Sequence, residues 1–234
     1  MLFLHEVHQV VGTKEEEFEA AYRDGWMPTL AAGDQARLLW FCHHAHGSGA
    51  AYNVVTITAI RDGAAWERLA LRIQKGDLQD WARQVDELRH DVKGKLLLPV
   101  YWSPMQSVDL EKVPTRGIDH EPSLYMEDTG WPYSSLDAYI QMWDEIYYRP
   151  MQAAPPDRRL LEVQACFQVA HGTHQRREAI LMQKIVNHQA LLHLLANEVA
   201  REHRAPGSYM QEALKYRDQW CSRLLRTSRW SPLH

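Results

Sequence analysis

Apolar and polar positions interleave along LFLHEVHQVV at the start of the chain, and this period predicts a β-strand. In TKEEEFEAAYRDGWMPTLAAG the period changes. Phe18, Tyr22 and Trp26 recur at helical spacing, acidic residues crowd the first turn, and Thr13 with Glu16 forms a capping-box pattern, so a helix is expected. ARLLWFCHHAH and AYNVVTITAI read as two strands around the turn signal Gly47-Ser48-Gly49. DGAAWERLALRI begins a helix with Asp62 as N-cap. Gly76 and Asp77 interrupt it, and DLQDWARQVDELRH resumes with Leu78, Trp81, Val85 and Leu88 on one face. KLLLPVYW is a short strand whose Pro99 suits an edge or a strand start.

The rest of the chain repeats this order. SLYMEDTG is a strand, and SSLDAYIQMWDEIYYRPM is a helix with Leu136, Ile140, Trp143 and Tyr147 in step. RLLEVQACFQVAHG and RREAILMQKIV form a hairpin. NHQALLHLLANEVAREH and SYMQEALKYRDQWCSRLLR form a broken helix, with Ser208 and Gln211 as a second capping box, and RWSP closes the chain's second half. Four short matches recur in one order: FLHE with LYME, GWMPTL with YYRPM, AHGS with AHGT, and YWSPM with RWSPL. Their offsets run from roughly 120 to 130 residues, the mark of an internal duplication. The polar, proline-bearing stretch QSVDLEKVPTRGIDHEP reads as a linker, which divides the chain into halves 1–105 and 122–234 about residues 106–121.

Each half reads β-α-β-β-α-β, the ferredoxin-like signature of an α+β protein. Two helices cover one face of such a sheet and leave the other open. Two halves in one chain offer each other that open face, and the expected result is a barrel with helices outside. With the central acids Glu6 and Glu127, helices ending in an aromatic plus proline (Trp26–Pro28, Tyr148–Pro150) and the repeated Trp-Ser-Pro, the chain resembles the dimeric α+β barrel superfamily, and within it the NIPSNAP-like proteins. That superfamily holds cofactor-free monooxygenases, lactone-forming and isomerising enzymes, stress proteins, and haem enzymes such as chlorite dismutases and aldoxime dehydratases. Fold does not choose among them.

Composition narrows the partners. The formal net charge is −4 and no Lys/Arg run stands out, so a nucleic-acid partner is not expected. No apolar run is long enough for a membrane span, and MLFLHEVHQV is too polar for a signal peptide. Three widely spaced cysteines, Cys42, Cys166 and Cys221, suit free thiols in a reducing compartment, so a cytoplasmic location is expected. Barrel closure within the chain removes the need for a partner. A homodimer would have to use outer helices or strand edges.

The expected partner is a small-molecule ligand in a cavity between the two sheets. Along the strand at 160–171, Glu162, Gln164, Cys166 and Gln168 form a polar face, read as inward. The AHG[ST] match then places His43 inward and sends His44 and His46 to the other face, although a slip of one residue reverses this. Glu6 and Glu127 are read as twins that both point inward, with His8 beside Glu6 on the same face. Burial raises a carboxylate's pKa toward the range of a general base. Glu6, His8 and His43 are therefore the catalytic candidates. Glu127, Gln164, Gln168, Tyr22, Trp26 and Tyr147 are the substrate-binding candidates, the aromatics as walls of an apolar pocket.

No phosphate loop, CxxC, HExxH or G-x-S-x-G elbow is present. A metal site would need His44 and His46 plus a third ligand from His8, His171, His174 or a glutamate. Haem would need a helical histidine such as His90, His188, His193 or His203. Neither is favoured, and no cofactor is expected. The reading is a small-molecule enzyme using acid–base or cofactor-free monooxygenase chemistry on an apolar substrate. The alternatives are a non-catalytic NIPSNAP-type binding or assembly protein, and a metal- or haem-binding barrel enzyme.

Overall fold

The structure is a computed structural model that describes residues 1–33, 35–133, 135–173 and 176–234. Eight antiparallel strands form one closed barrel: β1 (Leu2–Val10), β2 (Ala36–His44), β3 (Asn53–Ile60), β4 (Arg89–Pro99), β5 (Leu124–Gly130), β6 (Leu161–His171), β7 (Ala179–Ile185) and β8 (Trp220–Thr227). The order around the barrel is β1-β3-β2-β8-β5-β7-β6-β4. Each half thus keeps the ferredoxin-like order, β4-β1-β3-β2 and β8-β5-β7-β6. The seams join the second strand of one half to the last strand of the other, β2 to β8 and β6 to β4. Among the described residues no helix is long and apolar enough to cross a membrane.

Pairing identifies the twins. His5 lies between Ile57 and Lys95, and Glu127 lies between Met182 and Arg223. Phe3 and Tyr125 take matching places one step earlier, both in the barrel core. The twin of Glu127 is therefore His5, and the twin of Glu6 is Asp128. The FLHE–LYME match is out by one residue, because it aligned like letters where the strands align like faces. In the next strand the AHG match is correct: Gly47 (φ 81°) and Gly172 (φ 94°) both turn the chain with positive φ. Their surroundings differ. A Cβ on Gly172 would lie 2.4 Å from the Gly94 carbonyl oxygen, whereas a Cβ on Gly47 meets nothing within 4 Å. Gly47→Ala is therefore expected to cost roughly 1–2 kcal/mol for its backbone angle. Gly172→Ala adds a backbone clash and is expected to cost roughly 2–5 kcal/mol. Urea midpoints of the two variants decide this, and equal losses would refute it.

The space between the sheets is a packed core. Phe3, Trp40, Cys42, Ile57, Leu97, Tyr125, Phe167 and Met182 fill it, each at most 1% exposed. Phe3 and Phe167, one from each half, bring their ring centroids within 4.8 Å. Burial of each such side chain contributes about 1.5–3 kcal/mol. Leu110 and Val113 of the connecting segment are buried in the same cluster. The expected inter-sheet cavity is thus filled, chiefly by apolar side chains, and of the ligand-binding candidates only Glu127 points into it.

Outside the barrel, α1 (Glu15–Ala20) continues through a π-helical stretch (Ala21–Trp26) into α2 (Met27–Ala31). Its twin is α5 (Leu136–Met142), a second π stretch (Trp143–Tyr148) and α6 (Arg149–Ala153). Both π stretches directly precede the helix segment that carries the proline, whose missing N–H and bulky ring disfavour an unbroken α-helix. Thr13 lies in a short 3₁₀ turn rather than capping α1. Asp62 does cap α3 (Gly63–Lys75), accepting from Ala65 N at 2.8 Å, and α4 (Gln79–Glu87) follows. The second half has α7 (His188–Ala196) and α8 (Tyr209–Ala213) in those places. β8 departs from the helix that its spacing predicts: WCSRLLR alternates across the sheet and closes the barrel between β2 and β5.

The repeated Trp-Ser-Pro fastens each half onto the other. Trp102 Nε1 donates to Ile140 O at 3.0 Å and its ring stacks on Tyr148, while Ser103 Oγ accepts from Cys166 N at 2.9 Å. Reciprocally, Trp230 Nε1 donates to Glu19, and Ser231 Oγ accepts from Phe41 N at 3.1 Å.

Candidate functional site

On β1 the side chains of Phe3, His5 and Val7 enter the barrel, and those of Leu4, Glu6 and His8 face the helices. Glu6, His8, Tyr22 and Trp26 therefore do meet, but between sheet and helices rather than between sheets. His8 is wholly buried. Arg89 Nη1 donates to its Nδ1 at 2.9 Å. A guanidinium cannot accept, so the ring proton lies on Nε2, which faces Thr56 Oγ1 at 3.1 Å and Tyr22 Oη at 3.2 Å. The Thr56 hydroxyl is then free to bond the Glu6 carboxylate, whose nearer oxygen lies 4.0 Å from His8 Nε2.

Burial dominates the electrostatics here. It raises the Glu6 pKa above the usual carboxylate value, and the Arg89 charge opposes it only in part. Burial and then Arg89 hold the His8 pKa well below the usual imidazole value, so His8 is neutral. Burial and then the Glu6 charge push the Tyr22 hydroxyl well up. Glu6 is the open end of this chain of bonds, with its side chain 20% exposed against 0% for His8. Its neighbour on β4 is Gly94, where a Cβ would rest 3.9 Å from Glu6 Cγ. Tyr22 and Trp26 form the apolar side with Phe18, Phe41 and Trp81, the Trp26 and Trp81 rings stacked at 4.3 Å.

The other candidates lie elsewhere. His43 pairs with Gln168 as its twin, but both face outward, because the apolar strand face fills the barrel. A bulge at Gln164 also shifts the alternation, so that Val163 packs against the helices and Ala165 points inward. His43 Nε2 lies 3.0 Å from Glu19 Oε2 and 3.2 Å from Ser228 Oγ, and its Nδ1 lies 3.1 Å from Glu15 Oε1. With His44, the exposed His46 and Arg226 it lines a pocket of about 470 Å³ at the β2–β3 turn, and it is level with His8 two strands away, both pairing with Val54. Gln164 makes only a 3.5 Å contact to Glu162 O. Tyr147 Oη donates to Gln183 Oε1 at 2.6 Å in the second half.

Glu127 is the one candidate that does enter the barrel. It accepts from His5 Nε2 at 2.7 Å and from Arg223 Nη1 at 3.2 Å. Despite its burial, the His5 and Arg223 charges hold its pKa down to about 2. Among the described residues no three His, Cys, Asp or Glu side chains are placed to hold a metal ion, and His174 lies outside the described residues. His90 is on β4 rather than on a helix.

No protein-family model and no curated protein matches the sequence. Solved structures do. A candidate monooxygenase from Lactobacillus acidophilus aligns over 99% of this chain and 97% of its own, with 13% identity and a TM-score of 0.58. An anthrone oxidase-like protein aligns over 97% of this chain and 91% of its own, with 8% identity and a TM-score of 0.58. The fold is the dimeric α+β barrel. A NIPSNAP domain protein from Burkholderia xenovorans aligns over 44% of this chain and 99% of its own, with 24% identity and a TM-score of 0.35.

In this dimeric α+β barrel two polar residues of the cluster, Thr56 and Arg89, escape sequence reasoning. Thr56 lies in a β-branched strand and reads as a strand former. Arg89 reads as the end of a helix, whereas it begins β4 and reaches back to His8. Strand pairing of Glu6 with Thr56 is the only signal, and it needs the register.

Proposed function

We propose that the chain is a small-molecule enzyme whose proton acceptor is Glu6, working on an apolar substrate with an acidic C–H. One observation carries this reading: a carboxylate of raised pKa, partly open to solvent, linked through Thr56 to the neutral His8 and Tyr22. Glu6 removes a proton from carbon, and the Thr56–His8–Tyr22 bonds steady the carboxylate as its charge changes. The aromatic side formed by Tyr22 and Trp26 suits a flat, apolar carbanion. Such a carbanion either takes its proton back elsewhere, giving isomerisation, or reduces O2, giving oxygenation without a cofactor. A non-catalytic role needs no carboxylate of raised pKa at this place, and Glu6 is one.

Anthrone is the first substrate to try, since one structural neighbour is anthrone oxidase-like. Its CH2 and one O2 would become C=O and H2O: one oxygen atom stays on carbon, and the other leaves with both hydrogens. An oxygen electrode reads the reaction directly. Uptake of one O2 per anthrone by the wild type, suppressed in Glu6→Gln, supports the reading. Equal uptake in both sinks it.

A further inference from the structure

The second half carries a different cluster where its twin residues lie. Asp128, the twin of Glu6, faces the helices from β5. Its Oδ2 accepts from Gln183 Nε2 at 2.9 Å, and Gln183 Oε1 is already occupied by the Tyr147 hydroxyl. Its Oδ1 is buried and has no partner in bonding geometry. An orphaned buried acceptor is destabilising, and a donor would relieve it. Tyr139, Tyr147 and Tyr209 are close enough to feel its charge. Tyr147 and Tyr209 bring their ring centroids within 4.6 Å, and Trp143 Nε1 donates to Tyr209 Oη at 2.9 Å.

The cover differs between the halves. In the first half, α3 and α4 bury Ala65, Leu69 and Val85, and Tyr22 is 1% exposed. In the second half, α7 buries only Leu191 and α8 only Ala213. Leu192 and Leu195 of α7 are more than half exposed, and Asp128, Tyr147 and Tyr209 are all half-buried. The second cluster is therefore more thinly covered than the first, where Glu6 alone reaches solvent.

We propose that the Asp128–Gln183–Tyr147–Tyr209 cluster is a second ligand site, which takes a flat aromatic molecule bearing a hydroxyl. The hydroxyl donates to Asp128 Oδ1, and the ring packs against Tyr147 and Tyr209. This site does not depend on the role of Glu6. The charged and titratable groups that act on Asp128 are Arg217 ahead of β8, Tyr139 of α5, Tyr147 of the second π stretch, Tyr209 of α8 and, from the opposite face of β5, Glu127; the Ser222 hydroxyl lies opposite on β8. Burial outweighs the nearby Ser222 hydroxyl and the Arg217 charge, and raises the Asp128 pKa to about 6.

The test is a fluorescence titration of the full chain with 2-naphthol. The wild type is expected to bind it saturably. Asp128→Asn, which keeps the shape, should weaken binding at least roughly tenfold, the loss of one charge-assisted bond. Tyr209→Leu, at the exposed edge, should also weaken it, and Glu6→Gln should leave it unchanged. Wild-type affinity should fall as pH drops through about 6 and Asp128 becomes protonated. Absence of saturable binding, or wild-type affinity in both Asp128→Asn and Tyr209→Leu, overturns the proposal. Loss of binding in Glu6→Gln alone would place the probe in the first half, which also overturns this site and leaves the role of Glu6 standing.

Discussion

Glu6→Gln is expected to lower turnover of an acidic C–H substrate by roughly 10²–10⁴-fold, the contribution of a positioned general base. Glutamine keeps the size and the bond to Thr56 but cannot accept the proton. The loss should fall on kcat as well as on kcat/KM, because the interaction is made in the transition state. The pH profile gives a second readout. Only ionised Glu6 accepts a proton, so the wild-type rate rises with pH along one ionisation. Burial places that ionisation above the ordinary glutamate value of about 4.3. In Glu6→Gln the rising limb should vanish. A variant within about twofold of wild type, with the limb intact, would show that Glu6 is not the base.

Glu127→Leu is expected to cost about 3–5 kcal/mol of folding stability at neutral pH, because it leaves His5 buried beside Arg223 without the carboxylate. The double variant His5→Leu with Glu127→Leu should recover most of that loss, since Arg223 is 28% exposed and reaches solvent. Acid gives an independent check. The folded pKa of Glu127 is held down to about 2, below an unfolded value of about 4.3. Its contribution is therefore present above about pH 4.3 and lost as pH falls toward 2, roughly 3 kcal/mol in all. Urea unfolding at pH 7 and pH 3 measures both effects. A loss under about 1 kcal/mol in Glu127→Leu at pH 7 would refute the reading.

The duplication and the barrel were legible because AHG[ST] and Trp-Ser-Pro mark strand ends that the fold reuses. The facing of the strands was not. Both faces of β2 are buried and β6 is at least half-buried on both over Val163–Val169, so alternation distinguishes two sides but not inside from outside, and bulges at Leu39 and Gln164 break the count. Glu6, His8, Tyr22 and Trp26 could be chosen from sequence because Glu6 with His8, and Tyr22 with Trp26, share a face under either orientation. Asp128 could not, since a slip of one residue in matching FLHE to LYME hid it behind Glu127. β8 was lost to a helix reading because Trp220, Leu224 and Leu225 also recur at helical spacing.

His5 and Glu127 are twins that touch each other, so they sit on the axis relating the two halves. Self-association of either half would bring identical residues to that point. Two copies of the first half would set imidazole against imidazole. Two copies of the second would set carboxylate against carboxylate, where both cannot stay ionised. The unlike twins thus favour the mixed pairing over either symmetric one, and each half depends on the other for the partner of its central charge.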